Sequence, residues 1–286
     1  HQENAATFKN PKTHQIFNRF ATYNGSNPYQ APAMLNMIQH LEMNVGVFLP
    51  ENGMVQIAQS LQKLAEKQGA EFHFHEKAME IHLENNKVTA VSTEKGKYEA
   101  DLVYSNMDVH LTYNHLLPHF QKVPNKILNQ ERSSSAMVFY WGMNDVFPEL
   151  TVHNLFFSDD YEKEFKDIFE EKTIGDDPSV YVHITSKIKT EDAPQNAENW
   201  FVMINTPIDV GQDWETLRVK TKEVILNKLE RVLKRPIRDK IVAEFKNPTS
   251  KNLLSRSTNL YTCDLEISSL AEPRDYPLDC QSPTIH

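Results

Sequence analysis

The sequence predicts a mixed α/β fold, and three observations carry that reading. Met54, Ile57, Ala58, Leu61, Leu64 and Ala65 recur at the spacing of one helix face. Directly after Gly69 the apolar period drops to two, through Met79–Leu83 and Lys87–Ser92. Further on, strand-like and helix-like segments alternate, ending in a long helical pattern from Asp213 to Leu233 and a strand-like Lys240–Phe245. A chain of 286 residues has room for one large domain or two ordinary ones.

In chain order, Pro11–Phe20 and Ala31–Leu41 are predicted helices. A turn at Asn24–Pro28 separates them, because Gly25, Asn27 and Pro28 disfavour a continuous helix. Gly46–Pro50 reads as a short extended piece and Glu51-Asn52-Gly53 as a tight turn into the helix that starts near Met54. Gly69 is placed to end that helix, since glycine takes the left-handed cap conformation at little steric cost. Glu71–His75, Met79–Leu83, Lys87–Ser92 and Asp101–Ser105 are predicted strands, with hairpin turns at Glu84–Lys87 and Glu94–Lys97. Met107–Pro118 and Asn125–Gln130 read as helical, and Ser134–Trp141 as a strong strand. Asp160–Glu171 is an amphipathic helix with Tyr161, Phe165, Ile168 and Phe169 on its apolar side. Ser179–Ser186 and Trp200–Thr206 are predicted strands, and the last long helix presents Ile225, Leu229 and Val232 on one face.

Apolar residues make up 40% of the chain, enough for a core, and the formal net charge is −9. An acidic balance without a basic stripe argues against nucleic acid, because nothing is arrayed to neutralise phosphate. The one basic group, Arg231, Lys234, Arg235 and Arg238, reads as decoration of a solvated helix end. Two cysteines, Cys263 and Cys280, imply no disulfide framework, so a reducing compartment is the expectation. From Phe20 to Leu41 there is no formal charge, yet Gly25, Pro28, Pro32 and the asparagines make the stretch a poor membrane span. It reads instead as an uncharged, aromatic-bearing surface suited to an apolar ligand.

All eight glycines stand apart, so there is no GxGxxG and no glycine-rich phosphate loop. His73 and His75 form an H-x-H on a predicted strand; as metal ligands they lack a third partner, and an exposed strand face is the better reading, so no metal is expected. Ser133-Ser-Ser135 precedes a strand rather than a nucleophile elbow. The pairs Asp159-Asp160 and Asp176-Asp177 suit helix N-caps or solvated turns better than acid–base work. The residues offer no catalytic constellation, and the catalytic base is unassigned.

Several spaced motifs, in order, resemble the carotenoid desaturases, the bacterial phytoene-desaturase family of flavoproteins. They are Phe17-Asn-Arg-Phe-Ala-Thr-Tyr-Asn-Gly-Ser-Asn-Pro-Tyr-Gln-Ala-Pro32, Phe48-Leu-Pro-Glu-Asn-Gly-Met54, Ala100-Asp-Leu-Val-Tyr-Ser-Asn-Met-Asp108 and Tyr113-Asn-His-Leu-Leu-Pro118. Ser133–Gly142, Asp176–His183 and Asn199–Asn205 fit the same series, and the likeness runs to about Thr262. The wording is nearest the branch that introduces a 3,4 double bond into hydroxylated carotenoids. The family's FAD fingerprint is absent, Asn52 stands where the family has Gly, and the tail from Cys263 to His286 matches nothing in the pattern.

The resemblance implies the central part of a two-domain flavoprotein: a Rossmann-like FAD domain interleaved with an α+β substrate domain of mixed or antiparallel sheet and helices. Residues 1–45 would be substrate-domain helices, 46–110 part of the FAD domain, 111–250 substrate domain, and 251–286 a return to the FAD domain with a divergent tail. The implied activity is FAD-dependent desaturation of an acyclic carotenoid, with this stretch alone expected to be inactive. Gly53 and Met54 would lie near the flavin ring, Ala78 on the adenine side, and Asn106 at a strand end of the flavin domain. Phe20, Tyr23, Asn27, Tyr29, Pro32 and Met34 would line the substrate channel, with Met37 beside them; the alternative is that these rings and methionines are ordinary core. Implied surroundings are a cytoplasmic location peripheral to the membrane surface, no nucleic acid, and an electron acceptor that the sequence does not identify. Competing readings are a related isomerase, a retinol saturase-like reductase, an amine oxidase, or a non-enzymatic module binding an apolar ligand or partner.

Overall fold

The computed structural model describes residues 1–245 apart from Asn52, Gln121 and Glu131; Cys263, Cys280 and the 263–286 tail lie outside the described residues. Helices α1 (Gln2–Thr7), α2 (Pro11–Arg19) and α3 (Asn36–Asn44) open the chain. Helix α4 (Val55–Lys67), strands β1 (Ala78–Glu84), β2 (Lys87–Thr93) and β3 (Lys97–Glu99), and short helical pieces α5 (Val109–Leu111) and α6 (Asn125–Leu128) follow. Then come β4 (Ser135–Met143), β5 (His153–Phe156), α7 (Tyr161–Phe169), β6 (Val180–His183), β7 (Glu198–Thr206), α8 (Trp214–Leu233) and β8 (Ile241–Phe245). The described residues divide into two compact units: one takes His1–Val47 and residues 133–245, the other Phe48–Arg132.

The first unit is built on an antiparallel sheet of order β5-β6-β7-β4-β8. Alternation gives this sheet two different faces. On one, Met137, Phe139, Trp141 and Met143 of β4 pair across to Ile204, Val202, Trp200 and Glu198 of β7. Val180 and Val182 of β6 extend that face, and α8 supplies Trp214, Ile225, Leu226 and Leu229 to the same core. At about 1.5–3 kcal/mol for each fully buried large side chain, this layer dominates the unit's stability. Glu198 is buried at its end, where it accepts from Phe147 N at 3.0 Å and Trp200 Nε1 at 2.8 Å and pairs with Lys187 at 2.6 Å. Two N–H donors and one ammonium thus meet this carboxylate, which is what makes a buried charge tolerable.

Local signals set the helix ends. Asn10 caps α2 by accepting from Lys12 N, with Pro11 in the first helical position; Asp160 caps α7 and Asp213 caps α8. In α8 the expected buried Val232 is 49% exposed although it lies within about 20° of Ile225 on the helix wheel, and Leu233 packs on the core in this last turn instead. The predicted helix Ala31–Leu41 starts late: Pro32 leads into a tight 3₁₀ turn, Ala33–Leu35, before α3. The predicted strand Ser179–Ser186 ends at His183, where a 3₁₀ turn over Thr185–Lys187 begins.

The second unit holds α4 and the β1-β2-β3 meander. Gly69 closes α4 with φ 90°, its N–H donating to Glu66 O at 3.0 Å. Asn85 and Asn86 both take positive φ, 52° and 62°, which is the two-residue hairpin expected between β1 and β2. Two predicted strands fail here: Glu71–His75 and Asp101–Ser105 are not strands, because alternation alone makes no strand without a neighbour to pair with. The predicted helix Met107–Pro118 is a short α turn running into a wider-wound stretch, Thr112–Leu116. His73 and His75 are exposed as expected, but on an irregular segment, with His75 at φ 53°.

Candidate functional site

The second face of the first unit's sheet is aromatic. Tyr140 of β4 pairs with Phe201 of β7, Phe201 with His183 of β6, and His183 with His153 of β5. Directly paired residues project to the same side, so four rings lie in a row across four strands. Three strand-to-strand steps of about 4.8 Å make the row roughly 14 Å long. Tyr140 and Phe201 meet edge to face at 5.5 Å, and His153 and His183 stack at 4.8 Å with 3° between their planes. Beside the row, Val138, Met203, Tyr181 and Leu155 form a parallel one in the same register. Tyr181 packs edge to face on Phe201 at 6.4 Å, and its hydroxyl lies 2.7 Å from His153 Nδ1.

This face is open where the core face is closed. Tyr140 is 42% exposed and His153 is exposed, Phe201 and Tyr181 are half-buried, and His183 is buried. Burial raises the pKa of Tyr140, and it raises Tyr181 more strongly, with the Arg19 guanidinium opposing the rise. Both phenols therefore stay protonated at neutral pH and act as neutral hydrogen-bonding groups.

The N-terminal segment contributes its polar neighbours. Tyr23 is raised by burial and then by Glu42, to whose carboxylate it donates. Glu42 is itself raised by burial, the Tyr23 bond opposing, and its Oε1 is buried with no hydrogen-bond partner among the described residues. The Arg19 guanidinium acts on Tyr23, Tyr161 and Tyr181 alike.

The sequence-predicted lining residues divide. Phe20 stacks on Tyr23 at 5.8 Å, continuing from Phe17, and Tyr23 lies within the electrostatic reach of Tyr181. Tyr29 turns to Phe165 at 6.5 Å and His1 at 4.8 Å; burial, then nearby carboxylates, push its pKa up to about 12. Asn27 is buried and accepts from Tyr29 N at 2.9 Å, which is a turn-forming role. Pro32 and Met34 are exposed, Met34 at 69%. The row itself was missed. Its signal was present in Val180-Tyr-Val-His183 and Trp200-Phe-Val-Met203, where rings alternate with core residues and so fall on the face away from the core.

In the second unit, Gly53 is buried with φ 84° and donates to Pro50 O at 2.9 Å; Met54 is half-buried at the start of α4. Ala78 is exposed at the first residue of β1, paired with Thr93, and Asn106 is exposed. No hydrogen bond or ring contact joins these four among the described residues. With no glycine-rich phosphate loop in the sequence, the residues present do not by themselves form a cradle for a dinucleotide.

Residues 1–141 match the family described as flavin containing amine oxidoreductase. The chain is 51% identical, over 85% of its length and 50% of the relative's, to a 1-hydroxycarotenoid 3,4-desaturase of Flavobacterium sp. (strain P99-3). It is 31% identical to a phytoene desaturase of Neurospora crassa, covering 77% of this chain and 40% of that one. It is 33% identical to a 4,4'-diaponeurosporene oxygenase of Staphylococcus aureus, covering 82% of this chain and 48% of that one. The chain thus spans about half the length of these relatives, or less. Among solved structures, an oxidoreductase from Methanosarcina mazei superimposes with a TM-score of 0.52 at 15% identity, covering 77% of this chain and 49% of that one, which is a likeness of fold.

Proposed function

Because the chain belongs to the carotenoid desaturases, within the flavin containing amine oxidoreductases, we propose that it is the central portion of an FAD-dependent desaturase of acyclic carotenoids. The observation that supports this most directly is the aromatic row Tyr140–Phe201–His183–His153 on an open sheet face. A polyene is nearly all hydrocarbon and must be held by shape and apolar contact. A file of rings about as long as a run of conjugated double bonds supplies that contact, and Val138, Met203 and Leu155 widen it.

Desaturation removes a hydride and a proton from adjacent carbons; no side chain accepts hydride, and FAD supplies that capacity when bound. The dinucleotide-binding pattern is not in these residues. In this reading Gly53, Met54, Ala78 and Asn106 border the cofactor in the 46–110 segment, 251–286 returns to that domain, and residues 1–45 and 111–250 build the substrate side. An amine oxidase is less well supported, because the row offers no carboxylate to a cationic amine.

The reading includes peripheral contact with a membrane surface. No helix among the described residues is long and apolar enough to cross a membrane. Met34, Met37, Leu41 and Val45 are nevertheless 69, 57, 46 and 64% exposed along one side of α3 and its flanks, in a segment whose one formal charge is Glu42. Such a stripe suits an interfacial helix. Met37→Glu with Leu41→Glu is expected to reduce co-sedimentation with lipid vesicles several-fold; unchanged sedimentation would count against it.

The main test uses the protein in its full family length. It is expected to copurify with flavin and to shift the absorbance of an acyclic carotenoid to longer wavelength. A flavin-loaded protein that leaves the carotenoid spectrum unchanged, with and without added electron acceptors, would sink the proposal.

A further inference from the structure

Arg19 stands directly ahead of the uncharged stretch, and it is half-buried. Gln15 and Arg19 lie one turn apart on one side of α2, and Gln15 Nε2 donates to Ser158 O at 2.8 Å, just ahead of α7. Arg19 therefore faces Tyr161, the first residue of α7, and its charge acts on Tyr161, Tyr181 and Tyr23. A guanidinium has five N–H donors. One nitrogen of Arg19, Nη1, donates to Thr22 Oγ1, and among the described residues no carboxylate is ion-paired with it. The inward-facing carboxylates of this region are engaged elsewhere: Glu164 accepts from Ser179 through both oxygens, and Glu42 accepts from Tyr23. Tyr161 is 5% exposed and held edge to face by Phe157 at 5.5 Å and Phe165 at 5.0 Å. Its hydroxyl lies within reach of the Arg19 charge, yet it has no hydrogen-bond partner among the described residues. Donors thus outnumber acceptors at this spot. Tyr181, on the other side of the same guanidinium, belongs to the open sheet face and packs on Phe201.

We propose that Arg19, backed by the Tyr161 hydroxyl, is a binding site for the carboxylate of a long-chain acid, whose apolar chain lies along the sheet face beside Tyr181 and Phe201. From the reading above the inference takes only that this face seats an apolar chain. A half-buried cation without a counter-charge and a buried hydroxyl without a partner both cost free energy, and an oxyanion relieves both. The planar fork of a guanidinium matches a planar carboxylate bidentately. The phenols around it add hydrogen-bonding groups but no charge, so the site offers one positive charge and suits a monoanion. A phosphate monoester, with about two negative charges at neutral pH, would leave one of them unmet. Neutral apolar molecules make the same contacts along the sheet and leave Arg19 as it was, so the preference for an acid arises at this one residue.

The test is direct binding to the full-length, flavin-loaded protein at neutral pH. The probes are the conjugated fatty acid cis-parinaric acid and its methyl ester, followed by ligand fluorescence. The parent is expected to bind the acid about tenfold more tightly than the ester, the size of one charge-assisted hydrogen bond. Arg19→Gln is expected to bring that ratio to about one while keeping the affinity for the ester; Arg19→Lys, which keeps the charge but not the fork, falls between and serves if Arg19→Gln does not fold. Tyr161→Phe keeps the ring and lowers the ratio by a smaller factor. The ratio is the readout because a merely structural role would weaken both probes together. Equal affinity for acid and ester in the parent, no binding of the acid, or a ratio unmoved by the Arg19 variants overturns the inference. Displacement of the acid by millimolar inorganic phosphate overturns the assignment to a carboxylate. Binding does not pass through catalysis, so the two readings fail separately: a protein that converts carotenoids without preferring the acid loses only this inference, and one that prefers the acid but leaves carotenoids unchanged loses only the desaturase reading.

Discussion

At the scale of single residues, two groups near the N-terminus are under unusual constraint. Gly25 adopts φ +62°, its carbonyl accepts from Ser134 N at 2.8 Å, and a Cβ there would stand 2.8 Å from Ser133 Cβ. Gly25→Ala is expected to cost about 1–3 kcal/mol, from the left-handed backbone and the close approach together; urea unfolding measures it, and a loss within error would mean the turn relaxes freely. Glu42 has a folded pKa raised above its ordinary 4.5, with burial as the first cause. The folded protein therefore holds that proton more tightly than the unfolded chain does. Its contribution favours folding at low pH and is lost as pH climbs from the ordinary value to the raised one. Glu42→Gln removes this dependence, so the Tm of the variant relative to the parent is expected to rise as pH climbs above the ordinary glutamate value of 4.5. A difference in Tm that stays flat with pH would contradict the assignment.

Elements show where a one-dimensional reading succeeds and where it stops. Helix α7 was legible from its apolar stripe and from Asp160 as cap, and Tyr161, Phe165 and Ile168 are indeed buried. Glu164 on the same helix was not legible, because it is a charged residue facing inward: it accepts from Ser179 N at 3.0 Å and Ser179 Oγ at 2.7 Å. A contact fifteen positions away has no local signature. Glu164→Ala strips Ser179 of both acceptors, and a loss of about 1–3 kcal/mol in chemical denaturation is expected. The β1–β2 hairpin was legible from Glu84-Asn-Asn-Lys87 alone, since asparagine tolerates positive φ. Asn86→Val, which puts a β-branched residue at φ 62°, is expected to destabilise the second unit by roughly 1–2 kcal/mol, seen as faster amide exchange in β1 and β2. The failed strands, Glu71–His75 and Asp101–Ser105, carried the right alternation without a pairing partner. The aromatic row was hidden for a related reason: each of its rings was visible, but their alignment depends on a register between strands far apart in sequence.

The molecule as a whole is uneven. The first unit has a continuous core around Trp141, Trp200, Phe147 and Ile225, whereas α4 in the second has no buried residue, with Ile57, Leu61 and Leu64 at 47, 61 and 56% exposed. Native-state hydrogen exchange is expected to protect β4 and β7 far longer than β1–β3; equal protection in both units would refute this account of where stability resides. The sheet of the first unit has one further consequence. Trp141 and Trp200 are cross-strand partners on its core face, each one residue away from Tyr140 and Phe201 on the other. Indole emission overlaps the absorption of conjugated polyenes, and only the thickness of one sheet would separate donor from acceptor. A polyene seated on the aromatic row as proposed is therefore expected to darken the tryptophans behind it, and its occupancy could be followed in a fluorimeter with no label attached.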